Sequence, residues 1–271
     1  MTDIEILIPT MGVRIQGVER VLMSQREGVR YLVSWQRDCV DCPVPETLAS
    51  RDDVRVVELE GKGVSRNRNN LILNALAPLC FMADDDVVYH AGGLEAVVKR
   101  FEDDPDLDFA TFCYHSDEYP KYYPSEEFVL PNYPKNYYVN GFEIAFRLES
   151  VKAVSALLDE RYGLGAPVLQ AAEELVWVED ACAKGLTGQF FPIVVTTHAD
   201  ATTCLTRMQN PGVIMAEGAY IMRHFRKQPW QLAPRMALKA WRVNRQTRLG
   251  FFKILRLLLR GGEYEVKTAR G

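Results

Sequence analysis

No apolar run in this 271-residue chain approaches the roughly 20 residues needed to cross a bilayer. The start, Met1-Thr2-Asp3-Ile4-Glu5, lacks the basic opening and apolar stretch of a secretory signal, so a cytoplasmic location is expected. There is no internal repeat and no low-complexity segment. The six cysteines stand at 39, 42, 80, 113, 182 and 204. Several lie inside apolar runs, where a thiol acts as a small hydrophobe. Cys39-x-x-Cys42 has no second Cys or His pair at zinc-finger spacing, and reduced thiols suit the cytoplasm. Lys62 sits between two glycines, but the phosphate-loop spacing of Gly, Lys and Ser/Thr is missing. A membrane span, a disulfide scaffold, a zinc finger and a P-loop are thereby excluded.

What remains is an ordinary globular composition, 48% hydrophobic and 25% charged, enough for a full core. The net charge of -4 conceals an asymmetry. Residues 221–271 hold 13 Lys/Arg against 2 Asp/Glu, and the rest hold 19 against 34. The balances of +11 and -15 predict an acidic body over 1–220 and a basic helical extension over 221–271 that faces a different partner.

Along the body, apolar strands alternate with helical spacings. Strands are predicted at 4–10, 29–35, 54–59, 79–83, 107–114, 137–147 and 190–197, and helices near Val18-Val21-Leu22 and at 64–76, 92–102, 148–158 and 173–183. Such alternation implies βαβ units and an α/β fold with a mostly parallel, Rossmann-like central sheet flanked by helices. In open parallel sheets ligands bind beyond the carboxyl ends of strands. Pro9-Thr10, Gly61-Lys62-Gly63 and Asp84-Asp85-Asp86 all fall at such ends.

The aspartate triplet is the most informative of these. Three adjacent carboxylates repel one another, and the common remedy is a divalent cation held by oxygen ligands. Asp84 and Asp86, two apart, project to one side of an extended backbone. A solvated acidic turn or a helix start is the bland alternative. Arg66, within Ser65-Arg66-Asn67-Arg68-Asn69-Asn70, opens a helix after a glycine turn, where an anion or a uracil carbonyl binds well. Glu173-Glu174 begins an apolar helix and either complements its dipole or supplies a general base. His198 ends a strand and is either an ordinary residue or an imidazole ligand. Residues 114–138 carry seven of the twelve tyrosines plus Pro120, Pro124, Pro131 and Pro134. They form either a long surface loop or an aromatic platform for a sugar.

The order of these features resembles the family-2 glycosyltransferases of GT-A fold, bacterial enzymes of the inverting type. The carrying residues are Ile6-Leu7-Ile8-Pro9-Thr10, Gly63-Val64-Ser65-Arg66-Asn67, Ala83-Asp84-Asp85-Asp86 and Asn140-Gly141-Phe142-Glu143-Ile144-Ala145-Phe146-Arg147. Gly163-Leu164-Gly165-Ala166 with Glu173-Glu174, Asp180 and Lys184-Gly185, then Thr197-His198 with Thr202-Thr203, complete the set over residues 3–207. The resemblance implies a nucleotide-diphosphate sugar donor and Mg²⁺ or Mn²⁺ at the DxD motif, held by Asp84, Asp86 and His198. Pro9, Thr10, Arg66, Asp84 and Asp85 would contact the donor. Glu174, or Glu173, would deprotonate a hydroxyl of a glycan or lipid-linked glycan. Two departures stand out. Met11-Gly12-Val13-Arg14 replaces the usual Tyr-Asn segment, and Glu-Glu replaces the common Glu-Asp. A sugar nucleotidylyltransferase, or a non-catalytic carbohydrate-binding relative, is the alternative.

In the extension, Arg235, Lys239, Arg242 and Arg245 would align on a helix, and 249–259 is apolar but only 11 residues long. It is expected either to pack on the core or on a second copy in a homo-oligomer, or to make a peripheral contact with the inner face of the cell membrane. In the membrane case Phe251, Phe252, Ile254, Leu255 and Leu258 would enter the lipid interface. No nucleic-acid partner is expected.

Overall fold

The structure, a computed structural model, describes residues 2–38, 41–118, 120–135, 137–198, 209–226 and 228–269. Cys39, Tyr119, Cys204 and the Thr202-Thr203 segment lie outside the described residues. The chain forms two compact units, residues 1–158 with 177–200, and residues 159–176 with 201–271.

The first unit holds one nine-stranded sheet. Its strands are β1 Ile4–Met11, β2 Val29–Gln36, β3 Val54–Leu59, β4 Leu79–Met82, β5 Val87–Tyr89, β6 Phe109–His115, β7 Phe128–Val129, β8 Ile144–Arg147 and β9 Gly188–His198. The order is β3-β2-β1-β4-β8-β6-β9-β5, with β7 also on β9. Pairing is parallel from β3 through β4 and between β6 and β9, whereas β8, β5 and β7 run the opposite way. Six of the nine strands therefore share one direction. β4 reads as an unbroken apolar run, and β1 is buried along all but its last residue with Glu5 and Thr10 as its polar members.

The helices of this unit include α1 Glu46–Ala49, α2 Val64–Asn74, α3 Ala91–Asp103 and α4 Leu148–Ala153. The predicted helix after β1 is a 3-10 helix, Gly12–Val21. Gly12, Ile15, Val18 and Val21 are its buried residues, a spacing of three that suits three residues per turn. The strand expected over 137–147 is only β8, because the 3-10 turn Gly141–Glu143 precedes it. The helix expected over 148–158 stops at Ala153. α5 Glu173–Ala183 has its expected bounds. It ends with Gly185 at φ 93°, where Leu186 N–H donates to Ala181 O and Gly185 N–H to Cys182 O. Those two bonds satisfy carbonyls the last turn would otherwise leave free.

The second unit is built on α6 Pro211–His224, α7 Leu232–Asn244 and α8 Phe251–Thr268. The compositional boundary near 220 falls inside α6. Leu169, Ala171, Ala172 and Val176 pack with Val213, Ala216 and Ala219, so residues 159–176 belong with the carboxyl-terminal helices. Ile254 and Leu258 are fully buried with Ile214, Ala240 and Val243. They are core residues of this unit, which corrects the expectation that they enter a lipid interface. α6 and α8 meet backbone to backbone. A Cβ on Gly218 would lie 2.0 Å from Leu258 O, and one on Gly261 would lie 1.9 Å from Met215 O. A polar network ties the same helices to 159–162. Arg161 and Arg223 both pair with Asp159 and Glu265, and Tyr162 OH donates to Glu265 Oε2 at 2.8 Å.

Candidate active site

The chain leaves β1, builds β2 and β3 on one side, then returns to place β4 on the other. The carboxyl ends of β1 and β4 thus border the point where strand order reverses, the usual ligand crevice of such a sheet. The β1–β4 ladder ends at Leu7 and Met82, with Ala83 N–H donating to Leu7 O at 2.9 Å. Pro9, which cannot donate to a ladder, lies beyond that last rung. Asp84, Asp85 and Asp86 emerge from the end of β4.

Each carboxylate has its own partner. Asp85 is the buried member. Thr10 Oγ1 donates to its Oδ2 at 2.6 Å, Arg14 Nε donates to the same oxygen at 2.9 Å, and Arg14 Nη2 binds Oδ1. Arg14 Nη2 also reaches Asp86 Oδ2 at 3.1 Å. Asp84 accepts from Arg68 Nη2 at 2.8 Å, and Arg68 is itself almost fully buried. Asp86 lies 3.4 Å from His198 Nε2. Sheet register explains that meeting. β5 begins directly after Asp86 and runs antiparallel to β9, which sets Val87 opposite His198. Burial alone would raise the Asp86 pKa, but His198 and Arg14 outweigh it and hold the carboxyl below the usual aspartate range. The same hydrogen bond to Asp85 pushes the Arg14 pKa upward.

α2 forms the other wall. Gly63, at φ 124°, turns the chain into it and accepts from Gln36 Nε2 at 3.2 Å. Asn67 Nδ2 donates to Thr10 O at 3.0 Å, which fixes the end of β1 against the helix. Arg66 is exposed and lies back over the glycine turn, where a Cβ on Gly61 would come within 2.5 Å of its Nη1. Thr10, Asp85, Asp86 and His198 are therefore gathered, with Asp84 joined through Arg68, while Arg66 stands at the rim.

Glu173 and Glu174 open α5 and belong to the second unit. Glu173 is buried and Glu174 is half-buried. Ala172 just before them has φ 70°, a left-handed backbone that only glycine adopts without strain. Strain of this kind tends to persist where a fixed geometry is needed.

Two arginines escaped sequence reasoning. Arg14 was visible only as an oddity after β1, and Arg68 only as a polar residue two after Arg66. The available signal was the charge itself, since three adjacent carboxylates demand cations and the chain supplies its own. Among the described residues, no three His, Cys, Asp or Glu side chains gather as a self-sufficient cation site. The tyrosine-rich segment is also more inward than a platform. Tyr137 is buried, and the rings of Tyr123, Phe128 and Tyr137 pack on Phe190. Among the described tyrosines of this segment, Tyr122 and Tyr138 are exposed. The described cysteines Cys42, Cys80, Cys113 and Cys182 are free thiols, and burial pushes Cys113 up to about 12 and Cys182 up to about 11. Cys80, Cys113 and Cys182 therefore stay as neutral thiols at neutral pH.

Residues 44–161 match the family described as glycosyl transferase family 2. No curated protein matches the chain. Among solved structures, residues 1–349 of S. aureus TarS superpose with a TM-score of 0.59 at 13% identity, covering 81% of this chain and 65% of that one. The same fragment in complex with UDP-GlcNAc gives 0.55 at 14% identity, with 81% and 66% covered. The mannosyltransferase PcManGT from Pyrobaculum calidifontis, in complex with GDP-Man and Mn²⁺, gives 0.54 at 12% identity, covering 96% of this chain and 76% of that one. The chain thus spans under two thirds of the TarS fragment and 40% of the longer TarS chain. At such identities the likeness is one of fold. With the family-2 segment lying across β3 to β8, the chain has the GT-A fold and is similar to the family-2 glycosyltransferases over residues 44–161.

Proposed function

We propose that this protein transfers a sugar from a nucleoside-diphosphate sugar to a hydroxyl of a glycan or lipid-linked glycan, with inversion at the anomeric carbon and with Mn²⁺ or Mg²⁺. The observation that carries the reading is the aspartate cluster at the end of β4, with His198 delivered to Asp86 by the β5–β9 register. Asp84 and Asp86 are 32% and 42% exposed, so their oxygens are accessible, and Asp86 is held ionised. Mg²⁺ and Mn²⁺ are commonly bound by one or two carboxylates, with substrate phosphate and water completing the shell. Asp84 and Asp86, with His198 beside Asp86, would hold such an ion together with donor phosphate and water. When bound, it would neutralise charge on the departing nucleoside diphosphate.

The remaining roles fall to the chain's own groups. Asp85, braced by Thr10 and Arg14, keeps the turn rigid and leaves Asp86 oriented. Pro9, Thr10, Asp84, Asp85 and Arg66 border the nucleotide crevice. Glu174, or Glu173, takes the proton of the acceptor hydroxyl. The acceptor oxygen then bonds to the anomeric carbon as the bond to the diphosphate breaks on the opposite face.

The second unit would bring the enzyme to a membrane. Trp230, Leu238, Trp241, Phe252 and Leu259 are exposed, interleaved with exposed Arg235, Arg242, Arg245, Arg256 and Arg260. Aromatic and basic side chains together suit an anionic lipid interface. Among the described residues no helix is long and apolar enough to cross a membrane.

The test begins with melting shifts on UDP- and GDP-sugars with Mn²⁺, since a bound donor raises the midpoint. A responding donor is then supplied with candidate acceptors. Release of nucleoside diphosphate supports the reading, pyrophosphate release would indicate a nucleotidylyltransferase, and release of neither a binding protein. Glu174→Gln should lose on the order of a hundredfold to ten-thousandfold in turnover while keeping donor affinity. If Glu173→Gln does so instead, the base is its neighbour. Phe252→Ser with Trp241→Ser should abolish sedimentation with anionic vesicles, and equal sedimentation would defeat the membrane role. Size measurement in solution would show whether that face joins two copies instead.

A further inference from the structure

Lys121 and Glu143 form an ion pair whose side chains are both 0% exposed. Lys121 Nζ donates to the two carboxylate oxygens at 2.7 and 2.6 Å. The ammonium also lies 4.3–6.0 Å from the ring centroids of Tyr114, Tyr123, Tyr137 and Tyr138. Glu143 accepts further bonds from Tyr123 OH and from Asn140 N–H, the latter at 2.7 Å. Desolvating two charges costs several kcal/mol per ion, so an apolar pair of similar volume would often be as stable. Folding stability alone gives no reason for this pair to be ionic.

Its location supplies one. Glu143 closes the three-residue turn Gly141–Glu143 through a capping box with Asn140. Gly141 packs directly on Arg68, and a Cβ there would fall 2.2 Å from Arg68 Nη2. Arg68 is the partner of Asp84. The next residue, Phe142, stacks on the His198 imidazole at 5.2 Å between centroids and 28° between planes. His198 is the partner of Asp86. One short turn thus touches the partners of both outer aspartates, and its conformation is set by the buried pair.

We propose that Lys121 and Glu143 are positioning residues, which lock the tyrosine-rich segment onto the turn and thereby fix Arg68 and His198 against Asp84 and Asp86. The coupling is a property of the first unit's fold. Its consequence for donor binding rests on the function proposed above.

The test uses the full chain with Lys121→Met and Glu143→Gln combined, which removes both charges and nearly keeps both shapes. Only four histidines are present, so the imidazole ring signals are readily assigned. At one fixed pH, the His198 ring signals should move in the double variant while those of His224 stay. Affinity for UDP or GDP in the presence of Mn²⁺ should fall about tenfold or more, the usual scale for outer-shell changes. Leu48→Ala, a core cavity of the same unit, should lower the melting point yet leave both readouts as in wild type. Tyr123→Phe, which removes one hydroxyl from Glu143, should move His198 in the same direction by less. Unmoved His198 signals in the folded variants would overturn the proposal, as would unchanged nucleotide affinity. If wild type binds neither nucleotide with Mn²⁺, the donor reading fails and the ring signals alone decide the coupling.

Discussion

Two clusters of carboxylates in this molecule are each neutralised by two arginines, and they differ in access. At the end of β4, Asp84 and Asp86 are 32% and 42% exposed, and Arg14 is 58% exposed. In the second unit Glu265 is 4% and Asp159 17% exposed, with Arg161 and Arg223 at 24%. An accessible ion pair in water contributes little and exchanges partners easily, whereas a buried one is costly to break. In the first cluster the pair of Arg14 with Asp86 is accessible and can exchange partners, while Arg68 stays buried beside Asp84. The second staples three stretches of chain together. The same chemistry is partly open to solvent in one place and architectural in the other.

The largest expected effect breaks the staple. Glu265→Ala leaves Arg161, Arg223 and the Tyr162 hydroxyl short of an acceptor, and should destabilise the second unit by about 3–5 kcal/mol. Amide exchange along Phe251–Thr268 would report it, and a loss under about 1 kcal/mol would erase the contrast. Next comes Asp86→Ala, which should lower transfer on the order of a hundredfold and remove the Mn²⁺ dependence of nucleotide binding. Its effect on stability should stay within about 0.5 kcal/mol, as for other partly exposed sites. Retained Mn²⁺ dependence would show that Asp86 is not a ligand.

Acid sharpens the comparison further. For both Asp86 and Asp159, burial raises the pKa but arginine or histidine partners lower it more, and the folded values lie below the ordinary aspartate 3.8. The stability they contribute is thus full above that value and lost as pH falls through the depressed folded values. Arg14→Gln removes a counter-charge from Asp86 and none from Asp159. Acid loosening of β5 should then begin at a higher pH, with α8 unchanged. Pairwise amide signals followed against pH would show it, and a parallel shift in both elements would refute it. The smallest effect is Ala172→Gly, which relieves a left-handed φ of 70° and should stabilise by about 1 kcal/mol or less, read as a raised unfolding midpoint.

The contrast also marks what a sequence discloses. The β4 cluster is three consecutive letters after an apolar run, so composition and period both announce it. The strands from β1 to β4 were legible for the same reason, each being a short apolar run with a break after it. Partners distant along the chain left no local trace. Arg14 and Asp85 are 71 residues apart, and Arg161 and Glu265 are 104 apart. Nothing local marks Lys121, between Pro120 and Pro124, as an inward residue, and only tertiary packing turns it inward. Residues 159–176 followed the same rule, because their allegiance depends on contacts with α6 rather than on anything in their own periodicity.

The backbone contact of α6 with α8 has a consequence for the order in which the protein is made. The sheet is complete once β9 has been synthesised, at residue 198. Residues 159–176 are older than that strand, yet their unit also needs Gly261, Ile254 and Leu258 from the last helix. At 5–20 residues per second, the ribosome takes roughly 5–18 s to go from residue 176 to residue 268. In the later part of that interval the nascent chain carries a finished sheet and an α6 that still lacks the α8 residues it packs on.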